Sequence, residues 1–428
     1  MPVSAAPPSG FRDFLPEQVL ARQEAMRTIS AVYRRFGFQP IQTSTVEELP
    51  VLLGEDGGEN EKLIFKILKR GDKLAAALAP GAGENDLCDM GLRFDLTLPL
   101  ARYYSKHGSQ LPHPFKAFHL GPVWRAERAQ KGRFREFTQC DVDIVGADSW
   151  AAEVDVIAAI LSVFGALGLG EVAVHLNDRA FVRSQLDAAE VPSERQNQVC
   201  IEIDKLDKIG LDKVRQSLAA LLQPRQAQAV EAALLVERSD MPENLRRIAD
   251  AVKACVPGAL VRFDPGLMRG LGYYTGPVFE FRHPSLSGSL GGGGRYDRLT
   301  EKFGGPATPA CGGSIGFERL MMLLEESGRG GDASGPDAVM TVFSEELRER
   351  ALAAAAALRA SGLTVDAFAG SAKLKAQFRY ADQKRAAYAL VLGPDEVARG
   401  VLQVKNLKTG AEAAMPLDEA RARIAARL

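Results

Sequence analysis

Residues 123–146 read VWRAERAQKGRFREFTQCDVDIVG, and this stretch decides the fold prediction. Two strand-like runs flank a basic loop, in which Gly132 allows the chain to turn. In the second run the polar residues Gln139, Asp141 and Asp143 alternate with apolar residues. Because alternate strand side chains point to opposite faces, one face of this strand packs on a core while the other is polar. We therefore predict a strand–loop–strand hairpin that presents a polar site on one face of a sheet.

The loop of this hairpin is strongly basic, with five cations and the single acid Glu127. The cations are Arg125, Arg128, Lys131, Arg133 and Arg135. A solvated hairpin tip accounts for such charge. Arg125 differs from the others because it stands at the end of its strand, where it can be held rigidly enough to bind a phosphate through two nitrogens. The loop is therefore either an ordinary charged tip or part of an anion site.

A second polar segment is GLRFDLTLPLARYY, residues 91–104. Strand alternation over this segment puts Arg93, Asp95 and Thr97 on one face. This repeats the pattern of the hairpin, so we expect the two segments to contribute to one polar site.

A third segment, RGLGYYTGPVFEF at residues 269–281, places Arg269 and two adjacent tyrosines just before a strand. Tyr273 and Tyr274 cannot both face one core, since neighbouring strand residues point to opposite faces. Aromatic residues are common in strands, so a strand entry with one buried and one exposed ring explains the pair. The alternative is that one of the rings lines a polar pocket.

Two glycine-bearing segments follow. GGGGRYDRL at residues 291–299 lets the backbone approach a ligand closely, although runs of glycine also form ordinary flexible turns. CGGSIGFERLMMLL at residues 311–324 is a turn that leads into a buried helix and puts Arg319 at its start. An arginine in that position is either paired structurally or faces an anionic ligand.

The bulk composition is that of a globular protein, with 428 residues, 46% hydrophobic and 25% charged. The net charge of −1 excludes a global attraction to nucleic acid, so a phosphate-rich partner must bind local patches. The five cysteines are scattered, which argues against a zinc cluster or a disulfide framework. No apolar run is long enough to span a bilayer, and the N-terminus does not resemble a secretory signal. These features predict a cytoplasmic protein with no membrane association.

The pattern of elements predicts two domains. Residues 1–330 read as a mixed sheet domain, with a helical insertion at about 176–258. Within this domain we expect a helix from Pro16 that stops at Gly37, a strand in 37–49 and an amphipathic helix in 149–168. A Gly- and Ser-rich linker then occupies 327–337, and residues 336–428 alternate strand and helix periods as a small α/β domain.

Taken in chain order, the five segments described above resemble the histidyl-tRNA synthetase family of class II aminoacyl-tRNA synthetases. They are residues 91–104, 123–146, 269–281, 291–299 and 311–324. Residues 123–146 are similar to motif 2 of the class and residues 312–324 to motif 3, while the other three segments are similar to ones peculiar to the histidine enzymes. The resemblance runs from about residue 8 to the C-terminus and includes 373–400, which is similar to the anticodon-binding domain of the family. It implies an α/β (α+β) fold, in which a catalytic domain with an antiparallel sheet and a helical insertion precedes a small α/β anticodon-binding domain.

The function that this resemblance implies is ATP-dependent ligation of L-histidine to tRNA(His) through a histidyl-adenylate intermediate. It further implies ATP and Mg²⁺, with magnesium ligands that the sequence does not identify. The expected partners are tRNA(His), L-histidine, ATP and a second copy of the chain in a homodimer.

The resemblance also implies roles for individual residues. The α-amino group of histidine is expected to be held by Asp95, Thr97 and Gln139, and the imidazole by Asp143 and Tyr274 with Tyr273 beside it. Arg125 and Arg269 are the expected catalytic residues, since they would flank the reacting carboxylate and the α-phosphate. ATP is expected to contact Arg125, Glu127, Arg133, Phe137 and Arg319. The acceptor end of tRNA is expected to meet Arg128 and Gln130.

Two positions depart from the family pattern. Gly272 stands where the family normally has Asp, near the expected imidazole pocket, and Ser44 stands where motif 1 normally ends in proline, which bears on the dimer interface. Neither position has an expected role in the chemistry.

A regulatory paralogue that binds histidine without catalysis is the alternative, and a tRNA-binding module without activity is a third interpretation. Regulatory paralogues typically lack the anticodon domain and the catalytic arginines. Here Arg125, Arg269 and Arg319 are present, and the intact amino-acid pocket disfavours an inactive tRNA-binding module.

Overall fold

The computed structural model describes residues 4–53, 59–129, 132–236, 240–269, 273–328 and 335–426. The chain divides into two compact units, Met1–Gly331 and Asp332–Leu428. Most of the predicted linker at 327–337 lies outside the described residues. Within the described part of the chain, no helix is both long enough and apolar enough to span a bilayer.

The first unit combines the strands of two sheets with helices. Its strands are β1 (Gln39–Pro40), β2 (Val46–Glu48), β3 (Lys66–Leu68), β4 (Cys88–Leu92), β5 (Phe115–Trp124), β6 (Glu136–Val145), β7 (Ala173–Asp178), β8 (Leu260–Phe263), β9 (Pro277–Arg282), β10 (Gly291–Arg295) and β11 (Ala310–Gly316). Its helices are α1 (Pro16–Arg35), α2 (Leu49–Leu52), α3 (Asp72–Ala77), α4 (Glu84–Leu87), α5 (Thr97–His107), α6 (Ala151–Ala166), α7 (Arg179–Ala188), α8 (Ser193–Asp204), α9 (Leu206–Ile209), α10 (Leu211–Leu221), α11 (Pro224–Leu234), α12 (Glu243–Cys255) and α13 (Phe317–Glu326).

The main sheet has the strand order β1-β5-β6-β11-β10-β9-β7-β8. Its central pairs are antiparallel, and only the outermost pairs, β1 with β5 and β7 with β8, are parallel among the described strands. The predicted hairpin is therefore β5 and β6, near the middle of the sheet. A second sheet of three strands has the order β2-β4-β3.

The back of the main sheet carries the hydrophobic core, into which α1, α6, α12 and α13 contribute buried residues. We expected an amphipathic helix in 149–168. The helix is present as α6, but it is not amphipathic. Helix α6 buries eleven of its sixteen residues, because neighbouring helices and the sheet cover most of its circumference. A helix that is apolar on nearly every side is the kind that lies inside a core.

Helix α1 begins and ends as the sequence predicts. Pro16 occupies its first turn, where a missing N–H costs nothing, and Gln18 accepts a hydrogen bond from the Leu15 N–H at 3.0 Å. Gly37 follows the helix with a φ of +81°, a conformation that favours glycine. The strand expected in 37–49 is two short strands instead, β1 and β2, which belong to different sheets.

The region between β7 and β8 is mainly helical. Helices α7 to α11 enclose a small core of their own, whereas α12 packs on α6 and contributes to the main core. Residues 176–178 complete β7. This region is therefore a long helical connection between two parallel strands of the main sheet.

The second unit is a five-stranded sheet with its own core. Its strands are β12 (Ala338–Met340), β13 (Val365–Ala367), β14 (Tyr388–Val391), β15 (Leu402–Asn406) and β16 (Glu412–Met415), and its helices are α14 (Arg348–Ala360), α15 (Leu374–Gln383), α16 (Pro394–Arg399) and α17 (Leu417–Ala425). The order is β13-β12-β14-β15-β16, with β12 parallel to both neighbours and the later pairs antiparallel. A separate hydrophobic core is what an independently folding unit requires.

Candidate active site

A cleft of about 240 Å³ lies on the front face of the main sheet. Eight of the side chains predicted from the sequence line this one cleft: Asp95, Thr97, Arg125, Gln139, Asp143, Arg269, Tyr273 and Tyr274. They come from segments that are separated by as much as 179 residues of sequence, so the fold brings them together. Acidic groups gather at one end of the cleft, and arginines lie in another part of the site.

The floor of the cleft is a row of residues that face one another across the sheet. Asp141 on β6 pairs with Ser314 on β11, and Ser314 pairs with Gly292 on β10, all three in the cleft lining. Gly292 in turn pairs with Glu280 on β9, which continues the row beyond the lining. Directly paired residues of antiparallel strands project on the same face. Glycine at position 292 therefore leaves an opening in a face that is otherwise covered by polar side chains.

Two glycines of the cleft lining, Gly292 and Gly312, are required by the side chains that lie across them. A Cβ on Gly312 would come within 1.8 Å of Asp143 Oδ1, and a Cβ on Gly292 would lie 2.7 Å from Arg269 Cζ. Both distances are far below an ordinary contact, so any larger residue would displace the acid or the arginine. The side chains of Asp143 and Arg269 therefore occupy the space over these two glycines.

The acidic end of the cleft contains Asp95, Asp141 and Asp143. Burial raises the pKa of Asp95 to about 6, although the Leu98 N–H and the charges of Arg125 and Lys302 oppose this shift. Burial likewise raises the pKa of Asp141 to about 7, and that of Asp143 well above its usual range, with the other carboxylates adding to both effects. Three crowded carboxylates make this end of the cleft suited to a cationic group.

Local structure holds two of these acids in place. Asp95 Oδ1 accepts a hydrogen bond from the Leu98 N–H at 3.2 Å in the first turn of α5, so Asp95 lies in the turn before a helix and not on a strand as expected. Asp143 Oδ1 accepts from the Tyr296 hydroxyl at 2.5 Å. The sequence analysis gave Tyr296 no role, and its place in the glycine-bearing segment 291–299 was the only signal for it.

Gln139 is buried beside Asp141 in the lining of the cleft. Its Nε2 donates to Asp141 at 3.2 Å and to the Ser314 hydroxyl at 3.2 Å, while its Oε1 has no hydrogen-bond partner among the described residues. A buried acceptor without a partner costs free energy unless a donor arrives. Gln139 is therefore prepared to accept a hydrogen bond from a ligand.

Tyrosines form one wall of the acidic end. The rings of Tyr273 and Tyr274 lie 4.3 Å apart, and Tyr273 lies edge-on to Tyr296 at 6.4 Å. Tyr273 is 40% exposed, and Tyr274 is more buried. The adjacent pair therefore lines the cleft, as the second of the two interpretations held, and both rings do so.

Another part of the site is basic. Arg269 lines the cleft, and Arg319 lies near Arg269 outside the lining. Arg269 Nη2 donates to the Ser289 hydroxyl at 2.9 Å, and Arg319 Nη1 donates to the Ser289 carbonyl at 2.6 Å. Burial lowers the pKa of Arg319, and the charges of Arg133 and Arg269 lower it further. Arginines that repel one another in a partly buried place are suited to a polyanion.

Arg125 lies near the acidic end, where its charge acts on Asp95 and Asp141. Its Nε donates to the Phe94 carbonyl at 3.1 Å, and its guanidinium lies 4.9 Å above the Phe137 ring. The side chain is thus held from two sides, as the sequence analysis required for a phosphate ligand. Glu127 and Arg133 lie 3.9 Å apart in the adjoining loop, in which Arg128 is exposed.

Two predicted cations have structural roles instead. Arg93 does not share the polar face with Asp95 and Thr97: it is 3% exposed and donates to backbone carbonyls of Thr43, Ser44 and Pro122. The reason is that β4 ends at Leu92, so strand alternation does not continue through this segment.

Arg135 holds the base of the basic loop together. It donates to the carbonyls of Glu127 and Ser9 at 3.1 and 3.4 Å. Gln130, Lys131 and Gly272 lie outside the described residues. Over the part of the chain that the structure describes, no group of three His, Cys, Asp or Glu side chains is arranged to hold a metal ion.

Comparison with known proteins agrees with this geometry. A family model described as histidyl-tRNA synthetase matches residues 10–320, and one described as an anticodon binding domain matches residues 337–427. The chain is 40% identical over 427 residues to the histidine–tRNA ligase of Leifsonia xyli subsp. xyli. This alignment covers 91% of this chain and 98% of the relative. The chain is 35% identical over 443 residues to the histidine–tRNA ligase of Porphyromonas gingivalis, with coverage of 96% and 97%.

A solved structure gives the same result for the fold. The histidyl-tRNA synthetase from Nostoc sp. PCC 7120 superposes with a TM-score of 0.83 at 28% identity, over 100% of both chains. A synthetase fold therefore precedes an anticodon-binding fold in one chain. The chain belongs to the histidyl-tRNA synthetase family. The predicted family and fold class are confirmed.

Proposed function

We propose that this protein joins L-histidine to tRNA(His) in two steps, through a histidyl-adenylate. The observation that carries the proposal is the division of the site into an acidic end, with Asp95, Asp141 and Asp143, and a basic end with Arg269 and Arg319. The α-ammonium group of an amino acid fits the first end, and a nucleoside triphosphate fits the second. The family's activity, as the names of the relatives give it, is the same reaction.

Histidine recognition uses the acidic end. Asp95, Thr97 and Gln139 bind the α-ammonium group, and Gln139 has a free acceptor for it. Asp143 and Tyr274 bind opposite sides of the imidazole, with Tyr273 beside them. A neutral imidazole carries one donor and one acceptor, so a carboxylate and a phenol can distinguish it from other side chains.

The first chemical step is attack of the histidine carboxylate on the α-phosphate of ATP. A new bond forms between the carboxylate oxygen and phosphorus, and the bond to pyrophosphate breaks. The nucleophile is already ionised, so the step needs positioning and cations and does not need a general base. Arg125 and Arg269 supply charge at the α-phosphate.

The remaining ATP contacts come from the segments similar to motif 2, residues 123–146, and motif 3, residues 312–324. Arg319 binds the far phosphates, Phe137 stacks on adenine, and Glu127 and Arg133 bind in the adjoining loop. ATP would bind together with Mg²⁺, which would neutralise part of the charge of its phosphates.

In the second step the terminal ribose hydroxyl of tRNA attacks the carbonyl of the adenylate, and AMP leaves. Arg128 and Gln130 contact the acceptor end, and the second unit, residues 336–428, binds the anticodon. The helical region at about 176–258 is an insertion in the catalytic domain, residues 1–330. We further propose that the enzyme is a cytoplasmic homodimer.

The regulatory alternative has less support. The relatives described above are named as ligases, and the second unit matches an anticodon-binding model. The test is aminoacylation of a total tRNA pool with each labelled amino acid in turn. The proposal requires transfer of histidine to tRNA(His) alone and no transfer to periodate-oxidised tRNA. Binding of histidine without any transfer would favour the regulatory alternative.

Replacing Asp143 with Ala should weaken histidine binding and leave ATP binding unchanged. The change removes the acceptor for one imidazole nitrogen, and a buried unpaired group costs about 1–3 kcal/mol, or roughly five- to 150-fold in affinity. Titration calorimetry with histidine and with ATP measures both effects. Asp155→Ala is a matched control, because this acid pairs with Lys116 outside the cleft. Equal histidine affinity in the Asp143 variant and the parent would place the imidazole elsewhere.

Histidine binding should weaken as the pH falls from 8 to 6. The pKa values of about 6 for Asp95 and about 7 for Asp141 mean that the free cleft takes up protons in this range. The bound ammonium group favours the ionised carboxylates, so binding must release those protons and becomes less favourable at low pH. Calorimetry in buffers of different ionisation enthalpy measures the released protons. Histidine itself also titrates between pH 8 and 6, so the parent is compared with Asp141→Asn, which should release fewer protons on binding histidine. Equal proton release by the two proteins would contradict a role for Asp141 at the ammonium site.

A further inference from the structure

Glu280 lies at the centre of a chain of charges that begins at Arg269. Its Oε2 accepts from Arg269 Nε at 2.7 Å, and its Oε1 accepts from Arg282 Nε at 2.7 Å. Arg282 then reaches Asp264 at 3.1 Å and Asp207 on α9 at 3.4 Å. Each carboxylate oxygen of Glu280 is therefore occupied by a different arginine.

The chain continues beyond Arg282 into the neighbouring strand. Asp264 Oδ2 lies 3.3 Å from His175 Nδ1, and Asp264 Oδ1 accepts from the Gly266 N–H at 3.2 Å. His175 on β7 is also the direct strand partner of Glu280 on β9. Glu280 is thus fixed by a network of bonds on rigid strands, away from the histidine-binding end of the cleft.

Glu280 remains ionised in this place. Burial alone would raise the pKa of its carboxyl, but the charges of Arg269 and Arg282 and their hydrogen bonds outweigh burial and lower it. An ionised Glu280 offsets the repulsion that Arg269 meets from the other arginines of the basic end. The charge of Glu280 therefore favours the position of the Arg269 guanidinium over Gly292.

The orientation of Arg269 follows from these contacts. Glu280 takes Nε and Ser289 takes Nη2, while Nη1 has no hydrogen bond to any residue that the structure describes. Arg269 lines the cleft, so the guanidinium is fixed along one side and can donate to a ligand from the remaining nitrogen. Holding a flexible side chain before the substrate arrives removes an entropic cost from the reaction.

We propose that Glu280 is the positioning residue for Arg269 in adenylate formation, an inference that rests on the proposed function. Glu280 does not touch the substrate. It acts by holding the guanidinium across Gly292, where negative charge develops on the α-phosphate. The sequence segment 269–281 contains both residues, but nothing in their spacing of eleven positions indicates that they pair.

The test is a double-mutant cycle with Glu280→Gln and Arg269→Ala, measured by histidine-dependent ATP–pyrophosphate exchange. Glu280→Gln keeps the size of the side chain and removes its charge. We expect kcat to fall roughly tenfold or more while KM for histidine stays within about twofold. In the Arg269→Ala background the same change should have less than about a twofold effect, because Glu280 acts through Arg269.

Two further variants keep this test independent of folding. Ser289→Ala removes the second contact of Arg269 with a small change of volume, and it should lower kcat less than Glu280→Gln does and lose its effect in the Arg269→Ala background. Glu231→Gln, which breaks the Arg215–Glu231 pair on α10 and α11, is the matched control and should leave exchange unchanged.

The outcomes separate the inference from the proposed function. Equal losses from Glu280→Gln in both backgrounds, or an unchanged kcat in the single variant, would overturn the positioning role. Histidine-dependent exchange by the parent enzyme would still support the proposed function in that case. Absence of histidine-dependent exchange in the parent would instead overturn the proposed function itself.

Discussion

Arg269→Ala should reduce histidyl-adenylate formation by two to three orders of magnitude while histidine still binds. The guanidinium lies in the cleft across Gly292 and is held by Glu280 and Ser289. In the proposed complex it therefore needs no rearrangement to meet the α-phosphate. Loss of one such contact to developing charge costs about 3–4 kcal/mol of the barrier. The rate is measured by histidine-dependent pyrophosphate exchange, and histidine binding by calorimetry.

The control for this variant is Arg215→Ala. Arg215 also pairs with a glutamate, but on helices far in sequence from the cleft residues, and its side chain is 45% exposed. It should leave the exchange rate and the melting temperature nearly unchanged. Exchange at the parental rate in Arg269→Ala would show that another group supplies charge at the α-phosphate.

Removal of the second unit, by ending the chain at Gly328, should abolish most tRNA charging and spare adenylate formation. The two units have separate hydrophobic cores, so the first should fold without the second. Every cleft residue belongs to the first unit. The loss should appear mainly as a raised KM for tRNA, because a tethered domain adds affinity for a distant part of a long ligand through effective concentration.

Charge alone does not identify the second unit as a tRNA contact, since residues 336–428 hold 14 Lys and Arg against 11 Asp and Glu. The test therefore compares full-length and truncated enzyme on tRNA(His) with its natural and with a changed anticodon. The changed anticodon should impair only the full-length enzyme. Unchanged charging after truncation, or equal impairment of both enzymes, would exclude an anticodon role for this unit.

Much of the cleft was predictable because its pattern is local. The alternation of Gln139, Asp141 and Asp143 places three side chains on one strand face, and this follows from strand geometry alone. The glycine run was likewise visible as an exception to ordinary strand composition, and the adjacent tyrosines as a pair that cannot both face one core. A pattern of this kind predicts the structure correctly when the strand that carries it is regular, because strand geometry then fixes which residues share a face.

What the sequence missed depends on partners distant along the chain. Arg93 looked like a site residue until its bonds to carbonyls near residues 43 and 122 were seen. Tyr296 and Glu280 are identified only by the groups they hold, Asp143 and Arg269. The burial of α6 was hidden for the same reason, because its covering helices come from other segments. Long-range pairing has no local periodicity from which it could be read.

The central claim is that one cleft binds histidine at its acidic end and activates it at its basic end. The most direct measurement is ATP–pyrophosphate exchange by the purified full-length protein, without tRNA, with each of the amino acids in turn. The account predicts exchange with histidine and none with the others, and a loss of that exchange in Arg269→Ala. Exchange that depends on another amino acid, or no exchange with any, would contradict it.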